Sequence, residues 1–307
     1  MLRVVFAAAV SLLVAFPMAA RADDVGDCNQ SRNAKKAIKG CTKLIDSKRL
    51  KKRNLASAYS NRGVAYRNEG DLEKALKDLD KAIELNPKDA TDYSNRAIVY
   101  ASQGDLDKAI ADLDKAIKID PKQANAYYNR AYAYADKGKD GKAIDDFGKA
   151  IKLNPEDANA YNNRGVAYGN KGKYGKAIKD YDAAIRLNPS FAAAFYNRGV
   201  AFDEKGQYSR AIRDYSKAIR LNPKDVWAYI NRGVVFRKTG KIELAIRDYD
   251  KAIKLDPKDA GAYYNRGTAY RIKGDKKRAI ASYRKALSLS PTDKLARSNL
   301  EAMGETP

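Results

Sequence analysis

The chain has no histidine among its 307 residues. Histidine is the commonest general base and the commonest metal ligand, so its absence removes Ser–His and Cys–His nucleophile pairs and most metal sites. Two cysteines are too few for a structural zinc site, which takes four ligands. Many of the glycines stand singly at a fixed period, and no glycine-rich phosphate-binding loop is present. The composition predicts a protein that is not an enzyme and that holds no metal and no cofactor.

Long apolar runs are also missing, because no segment approaches the ~18 residues that a membrane-spanning helix needs. The beginning of the chain nevertheless has the pattern of an export signal. Arg3 precedes an apolar stretch at residues 4–16, and Ala20-Arg21-Ala22 fits the rule for signal cleavage. We expect residues 1–22 to be a signal peptide and the mature protein to be periplasmic or secreted. The alternative is a retained N-terminal anchor.

A strict repeat of 34 residues runs through most of the chain. Seven prolines mark it: Pro87, Pro121, Pro155, Pro189, Pro223, Pro257 and Pro291. With proline as position 32, the units are 56–89, 90–123, 124–157, 158–191, 192–225, 226–259 and 260–293. Tyr or Phe at positions 4 and 11 lie seven residues apart and so share a helical face. Position 8 between them is Gly or Ala, and a Gly at position 15 is typical of a helix end.

Each unit is therefore predicted to be two antiparallel helices, A and B, that stack on their neighbours. This spacing of small and aromatic residues resembles the tetratricopeptide repeat. The matching residues of the fourth unit are Tyr161, Gly165, Tyr168, Gly172, Ala177, Tyr181, Ala184 and Pro189. The resemblance covers residues 56–293. It implies an all-α, right-handed superhelical solenoid whose concave surface, lined mainly by the A helices, binds extended peptides or partner helices.

The segments that flank the repeats are predicted to close the stack. Residues 294–307 have the apolar spacing of a capping helix followed by a tail, and residues 23–55 resemble a truncated zeroth repeat. In that register Cys28 and Cys41 occupy positions 11 and 24, where complete units hold a large pair of core residues. We expect a Cys28–Cys41 disulfide, since export makes oxidation plausible. The alternative is a pair of buried reduced thiols.

Every unit carries Asn-Arg at positions 6 and 7. An asparagine amide both donates and accepts hydrogen bonds, so a row of them can hold a partner's main chain. This row is similar to the asparagine ladder of O-linked N-acetylglucosamine transferase, and the alternative is hydrogen bonding within the scaffold. The predicted ladder residues are Asn129, Asn163, Asn197, Asn231 and Asn265. The arginine at position 7 is predicted to pair with the aspartate at position 23 of units 1 to 6.

The surface of the A helices also carries aromatic residues, which are typical binding anchors. The predicted anchors are Tyr128, Tyr132, Tyr196, Trp227 and Tyr264. Packing between adjacent A helices is the alternative role for these side chains.

Positive charge is concentrated in one half of the repeats. The net charge is +22 for the chain, and residues 158–293 alone hold +16. This asymmetry favours a negatively charged partner. We predict a non-catalytic scaffold that binds a protein or peptide. The alternative is binding to anionic envelope polysaccharide or a membrane surface through the basic half, and a third reading is a solvated outer face. We expect no nucleic-acid partner, because of the signal peptide, and a monomer or weak self-association.

Overall fold

The computed structural model describes residues 22–29 and 33–306. Those residues form 17 helices and no strand, which confirms the predicted all-α class. The predicted signal peptide lies outside the described residues except for Ala22, the first residue of the first helix. The chain divides into two compact units, which meet in sequence between Glu156 and Asp157.

The first unit contains four pairs of helices. They are α1 (Ala22–Cys28), α2 (Ala34–Asp46), α3 (Lys52–Glu69), α4 (Leu72–Leu85), α5 (Ala90–Ser102), α6 (Leu106–Ile119), α7 (Ala124–Asp136) and α8 (Asp140–Leu153). From α3 onward, odd numbers are A helices and even numbers are B helices. Helix α3 begins before residue 56 because Arg53 stands where the later units have the turn-forming proline.

The second unit contains four further pairs and one terminal helix. They are α9 (Ala158–Asn170), α10 (Tyr174–Leu187), α11 (Ala192–Glu204), α12 (Tyr208–Leu221), α13 (Val226–Lys238), α14 (Ile242–Leu255), α15 (Ala260–Lys273), α16 (Lys276–Leu289) and α17 (Lys294–Glu301). Within each unit, a B helix packs on its own A helix and on the next A helix. Ala296 and Leu300 bury α17 against Tyr283 and Ala286 of α16.

The turns form for local reasons. The glycine at position 15 follows each A helix with a φ between 68° and 85°, a left-handed conformation that glycine adopts without a steric penalty. At the other turn, between a B helix and the next A helix, an aspartate precedes most A helices. Its carboxylate accepts a backbone N–H of the first turn, as those of Asp89 and Asp225 do. Gln123 and Phe191 stand at this place before α7 and α11 and make no such bond.

The core within each pair depends on the small residue at position 8. A Cβ atom on Gly165 would lie 2.6 Å from the ring of Tyr181, and one on Gly233 would lie 2.7 Å from the ring of Tyr249. Real Cβ atoms do not approach other atoms so closely, and glycine therefore lets the two helices approach with a tyrosine at position 24 between them.

The first pair of helices is held by a disulfide between Cys28 and Cys41, as their register predicted. Both residues are fully buried, and they pack with Leu44 and Ala58. The disulfide therefore takes the place of the large side chains that fill positions 11 and 24 elsewhere.

Candidate partner-binding surface

The arginines at position 7 are part of the scaffold. Six of them donate Nε and Nη2 to the two carboxylate oxygens at position 23, with distances of 2.6–2.9 Å, for example Arg198 to Asp214. The predicted Arg–Asp pairs are confirmed. In the seventh repeat the partner is a hydroxyl, because Arg266 Nε donates to Ser282 Oγ.

Most of these guanidinium groups make a second contact that the sequence did not predict. Nη1 reaches position 25 of the preceding B helix, where Arg96 donates to Asp80 and Arg198 to Asp182 at 2.6 Å. The two carboxylates of Asp112 and Asp80 raise the pKa of Arg96. Rings at positions 4 and 11 flank most of these guanidinium groups, as Phe195 and Phe202 do for Arg198. The arginines that make this second contact therefore link their own repeat to the preceding one.

The asparagine row also bonds within the scaffold. Asn197 Nδ2 donates to Asn162 Oδ1 at 3.0 Å, and Asn231 Nδ2 donates to the Tyr196 hydroxyl at 2.9 Å. Both bonds connect neighbouring A helices. At the ends of the predicted row, Asn265 donates to the Gly261 carbonyl, and Asn129 is only 3% exposed.

Asn163 accepts a hydrogen bond from its neighbour Asn162. Hydrogen bonding within the scaffold, the alternative role of the asparagine row, is therefore observed directly. A ladder that holds a partner's main chain stays a prediction.

The predicted aromatic anchors lie in different surroundings. Tyr128 is 4% exposed and meets Phe147 edge-on with ring centroids 5.6 Å apart, so little of its surface is open to a partner. Tyr196 and Tyr264 are half-buried against the tyrosine at position 24 of their own repeats. Tyr132 is half-buried, and burial raises its pKa. Trp227 is 60% exposed and is the most open of the five.

A cleft of about 330 Å³ lies between α9 and α11, with α10 beneath it. The residues that line it are Val166, Gly169, Asn170, Tyr174, Tyr181, Tyr196, Asn197, Val200, Ala201 and Glu204. Two of the predicted site residues, Tyr196 and Asn197, therefore come together here, whereas Trp227 and Tyr264 do not line the cleft. Gly169 leaves the cleft open, since a Cβ there would meet only the Tyr181 hydroxyl, at 3.8 Å.

The cleft carries one ionised group. The Tyr174 hydroxyl lies 3.4 Å from Glu204 Oε2, and this carboxylate raises the pKa of Tyr174. Burial raises the pKa of Tyr181 and of Tyr196. All three hydroxyls are therefore protonated and neutral at physiological pH, and Glu204 gives the cleft a negative charge.

Many of the cations of the B helices rest on aromatic rings. Arg210 lies 5.6 Å from the ring centroid of Phe202, and Lys217 lies 5.8 Å from that of Phe195. Others, such as Arg186, Arg213 and Arg220, are exposed. The basic charge of the second unit thus has a structural part and a solvated part.

The described residues form helices of 7 to 18 residues. None of their helices is both long and apolar enough to cross a membrane. In the same part of the chain, no group of three or more cysteine, aspartate or glutamate side chains is arranged to hold a metal ion.

Comparison with known proteins identifies the family. The model described as "TPR repeat" matches residues 99–138, 131–172 and 233–270. Two models described as "Tetratricopeptide repeat" match the rest, one at 56–89, 158–191, 192–225 and 260–293, the other at 79–111 and 215–247. Together these matches leave no gap from residue 56 to residue 293. None of the curated protein sequences matches the chain.

Solved structures share the fold. A chain of the APC/C hetero-tetramer Cut9–Hcn1 aligns with a TM-score of 0.63 at 18% identity, over 91% of this chain and 55% of its own. This chain thus spans about half the length of that one. A tetratricopeptide repeat protein from Parabacteroides merdae aligns with a TM-score of 0.61 at 23% identity, over 81% of this chain and 99% of its own. MamA is 29% identical, with a TM-score of 0.51, over 53% of this chain and 96% of its own.

Proteins built from this repeat generally mediate protein–protein interactions and are not enzymes. The 34-residue period, the paired helices and the continuous family matches agree, and the chain belongs to the tetratricopeptide repeat family.

Proposed function

We propose that this protein is a non-catalytic scaffold that binds a segment of a partner protein along the A helices α9, α11, α13 and α15. The observation that carries the proposal is the cleft between α9 and α11. It is lined by aromatic rings, amides and one carboxylate, a composition typical of sites that fix a ligand's orientation while burying its apolar surface.

The exposed ring of Trp227 gives the same surface a second point of attachment. It is the second residue of α13, which follows α11 in the stack, and 60% of its surface is open. Large rigid aromatics contribute much of the binding energy of protein interfaces, because they bury a large area and lose little rotamer freedom. A segment that reaches from the cleft to Trp227 would be held at two places.

A periplasmic or secreted location fits the proposed role. The Cys28–Cys41 disulfide supports it, since disulfides persist mainly in oxidising compartments. The apolar stretch at residues 4–16 supports it independently through its resemblance to a signal peptide.

A second candidate function is binding to an anionic envelope polymer or membrane surface. It is favoured by a specific observation, which is that the B helices of the second unit expose Arg186, Arg213, Arg220 and Arg247. Attraction through these groups would weaken steeply as salt rises, because exposed charges are screened beyond about 8 Å at physiological ionic strength.

A peptide-display selection on the mature protein tests the first proposal. We expect extended peptides to be enriched whose binding is lost in Trp227→Ala or when the cleft is filled by Gly169→Arg. Arg213→Glu with Arg247→Glu is the matched variant on the outer face and should retain these peptides. If no peptide is enriched, and anionic vesicles bind wild type but not the Arg213/Arg247 variant, the scaffold proposal is wrong and the second candidate replaces it.

A further inference from the structure

The cleft of the fourth repeat lies at a position where some other repeats of the chain have an arginine. Position 12 lies in the last turn of each A helix, and in repeats 4 and 6 it lies next to the tyrosine at position 24. It is arginine in repeats 1, 6 and 7, as Arg67, Arg237 and Arg271, and glycine only in repeat 4, as Gly169. The fourth repeat therefore lacks the side chain that these other repeats place there.

Repeat 6 shows what that side chain does. Arg237 Nε is fully buried, and its guanidinium lies near the hydroxyl of Tyr249, the residue at position 24. Burial raises the pKa of Tyr249 to about 12, and the positive charge of Arg237 opposes the rise. A half-buried arginine beside a tyrosine hydroxyl is thus a native arrangement of this fold.

The fourth repeat keeps the tyrosine and leaves out the arginine. Tyr181 occupies position 24 there, as Tyr249 does in repeat 6, but the space in front of its hydroxyl is the open cleft above Gly169. The rim differs as well. Glu204 of α11 lines the cleft, whereas the corresponding residue of α15 in front of repeat 6 is the apolar Ile272.

We propose that the α9–α11 cleft receives an arginine side chain of the partner protein. The guanidinium would take the place that Arg237 occupies in repeat 6, with the Tyr181 hydroxyl as acceptor and the rings of Tyr174 and Tyr196 beside it. The Glu204 carboxylate supplies the counter-charge, and a guanidinium can donate to both of its oxygens. The inference rests on the proposed function, because it assumes that a partner segment lies along the A helices.

The positive net charge of residues 158–293 does not oppose this assignment. No lysine or arginine lines the cleft, and the neighbouring Asp203 is already paired with Lys238 at 2.8 Å. The exposed arginines lie on the B helices, such as Arg213 on α12, where water and salt screen them. The charge at the cleft is therefore set by Glu204, and it is negative.

The test uses N-acetyl-arginine methylamide as the probe and N-acetyl-citrulline methylamide as its neutral isostere. Binding is followed by NMR of the mature protein with ¹³C-labelled tyrosine rings. We expect the arginine probe to shift a small set of ring signals with a millimolar dissociation constant, and the citrulline probe to bind at least about fivefold more weakly. Glu204→Gln should weaken the arginine probe by about three- to tenfold and leave the citrulline probe unchanged.

Gly169→Arg should abolish binding of the arginine probe, because it supplies the missing side chain from within. Gly169→Ala is its matched control, since the added Cβ makes only an ordinary contact with Tyr181 and leaves most of the cleft open. Thermal unfolding followed by circular dichroism checks that both variants fold. Should Gly169→Arg not fold, the Glu204→Gln comparison decides alone.

The arginine assignment is overturned if citrulline binds as well as arginine, if a lysine probe binds more tightly, or if Glu204→Gln has no effect. This failure differs from that of the scaffold proposal. Suppose that display-selected peptides bind wild type and not Gly169→Arg, but that none of them needs an arginine for binding. The scaffold proposal would then stand and the arginine assignment would be wrong. Absence of any selected peptide would remove the scaffold itself.

Discussion

At position 7 one arginine side chain makes three kinds of contact. In repeat 5, Arg198 pairs with Asp214 of its own B helix and with Asp182 of the preceding one, and two phenylalanine rings flank it. The first contact could be predicted, because Arg and Asp recur together at fixed positions. The second could not, because position 25 is aspartate in some repeats and glycine or serine in others. Only the packing of neighbouring repeats brings that residue to the guanidinium.

A single residue in repeat 2 departs from the repeat pattern by placing a carboxyl group in the protein interior. Position 3 is alanine in the other six repeats, but here it is Asp92, whose side chain is 3% exposed. Burial raises the pKa of Asp92 to about 7, and Asp89 adds to the rise while a hydrogen bond with Ser60 opposes it. The carboxyl therefore takes up a proton in the folded state at a pH where the unfolded chain has released it.

Asp92 should make stability fall as pH rises. Between its ordinary pKa of 3.8 and about 7, the folded state binds more protons than the unfolded state, so the free energy of unfolding decreases with pH. Above pH 7 the full cost, about 4 kcal/mol, is present. We expect Asp92→Ala to raise stability by that order at pH 8 and by much less at pH 4, measured by urea unfolding. Asp145→Ala, at an exposed site, is the control, and a pH-independent gain for Asp92→Ala would contradict the prediction.

At the scale of the helix, glycines with the same propensity have opposite roles. Gly165 lies in the middle of α9 with no room for a side chain, because an added Cβ would be 2.6 Å from the Tyr181 ring. Gly175 lies in the first turn of α10, where an added Cβ would meet nothing within 4 Å. Sequence showed that the first belongs to a repeating small position and that the second does not, but only the structure shows the space around each.

The pair of substitutions Gly175→Ala and Gly165→Ala should therefore change stability in opposite directions. The first should stabilise by about 0.5 kcal/mol, because alanine loses less backbone entropy on folding. The second should destabilise by about 1–3 kcal/mol through overpacking against Tyr181. Urea unfolding of both variants beside wild type measures the difference. Equal effects of the two would show that helix propensity outweighs packing at position 8.

The helices themselves were predictable because each signal recurs seven times. The proline, the position-15 glycine and the aromatic spacing agree in every unit, so a chance match at one place cannot mislead. The cleft could not be predicted in the same way. Its cause is an exception, Gly169, because no other repeat has glycine at position 12. Its depth depends on how α9, α10 and α11 pack, and that is a tertiary property.

At the scale of the whole molecule, the repeats share their contacts with near neighbours. Within each unit a helix touches the helices beside it and makes few contacts farther along the stack. Stability in such an array is a sum of terms for repeats and their interfaces, so a local change stays largely local. The net charge could be counted from the sequence, because it too is a sum over residues. Only the structure shows which cations contact aromatic rings and which lie in water.

The disulfide at the front of the array provides a test of this locality. Cys28 and Cys41 close a loop with a sequence separation of 13, worth roughly 2–3 kcal/mol when the entropy of the unfolded chain is counted. That stabilisation acts on α1 and α2 and, through their contacts, on α3. A Cys28→Ala/Cys41→Ala variant should exchange amide hydrogens faster in α1–α3 and at the wild-type rate in α7 and α8, by mass spectrometry. Asp145→Ala, which leaves the disulfide intact, is the control. Faster exchange throughout the first unit would instead mean that it unfolds as one cooperative block, and the disulfide would then stabilise every helix in it.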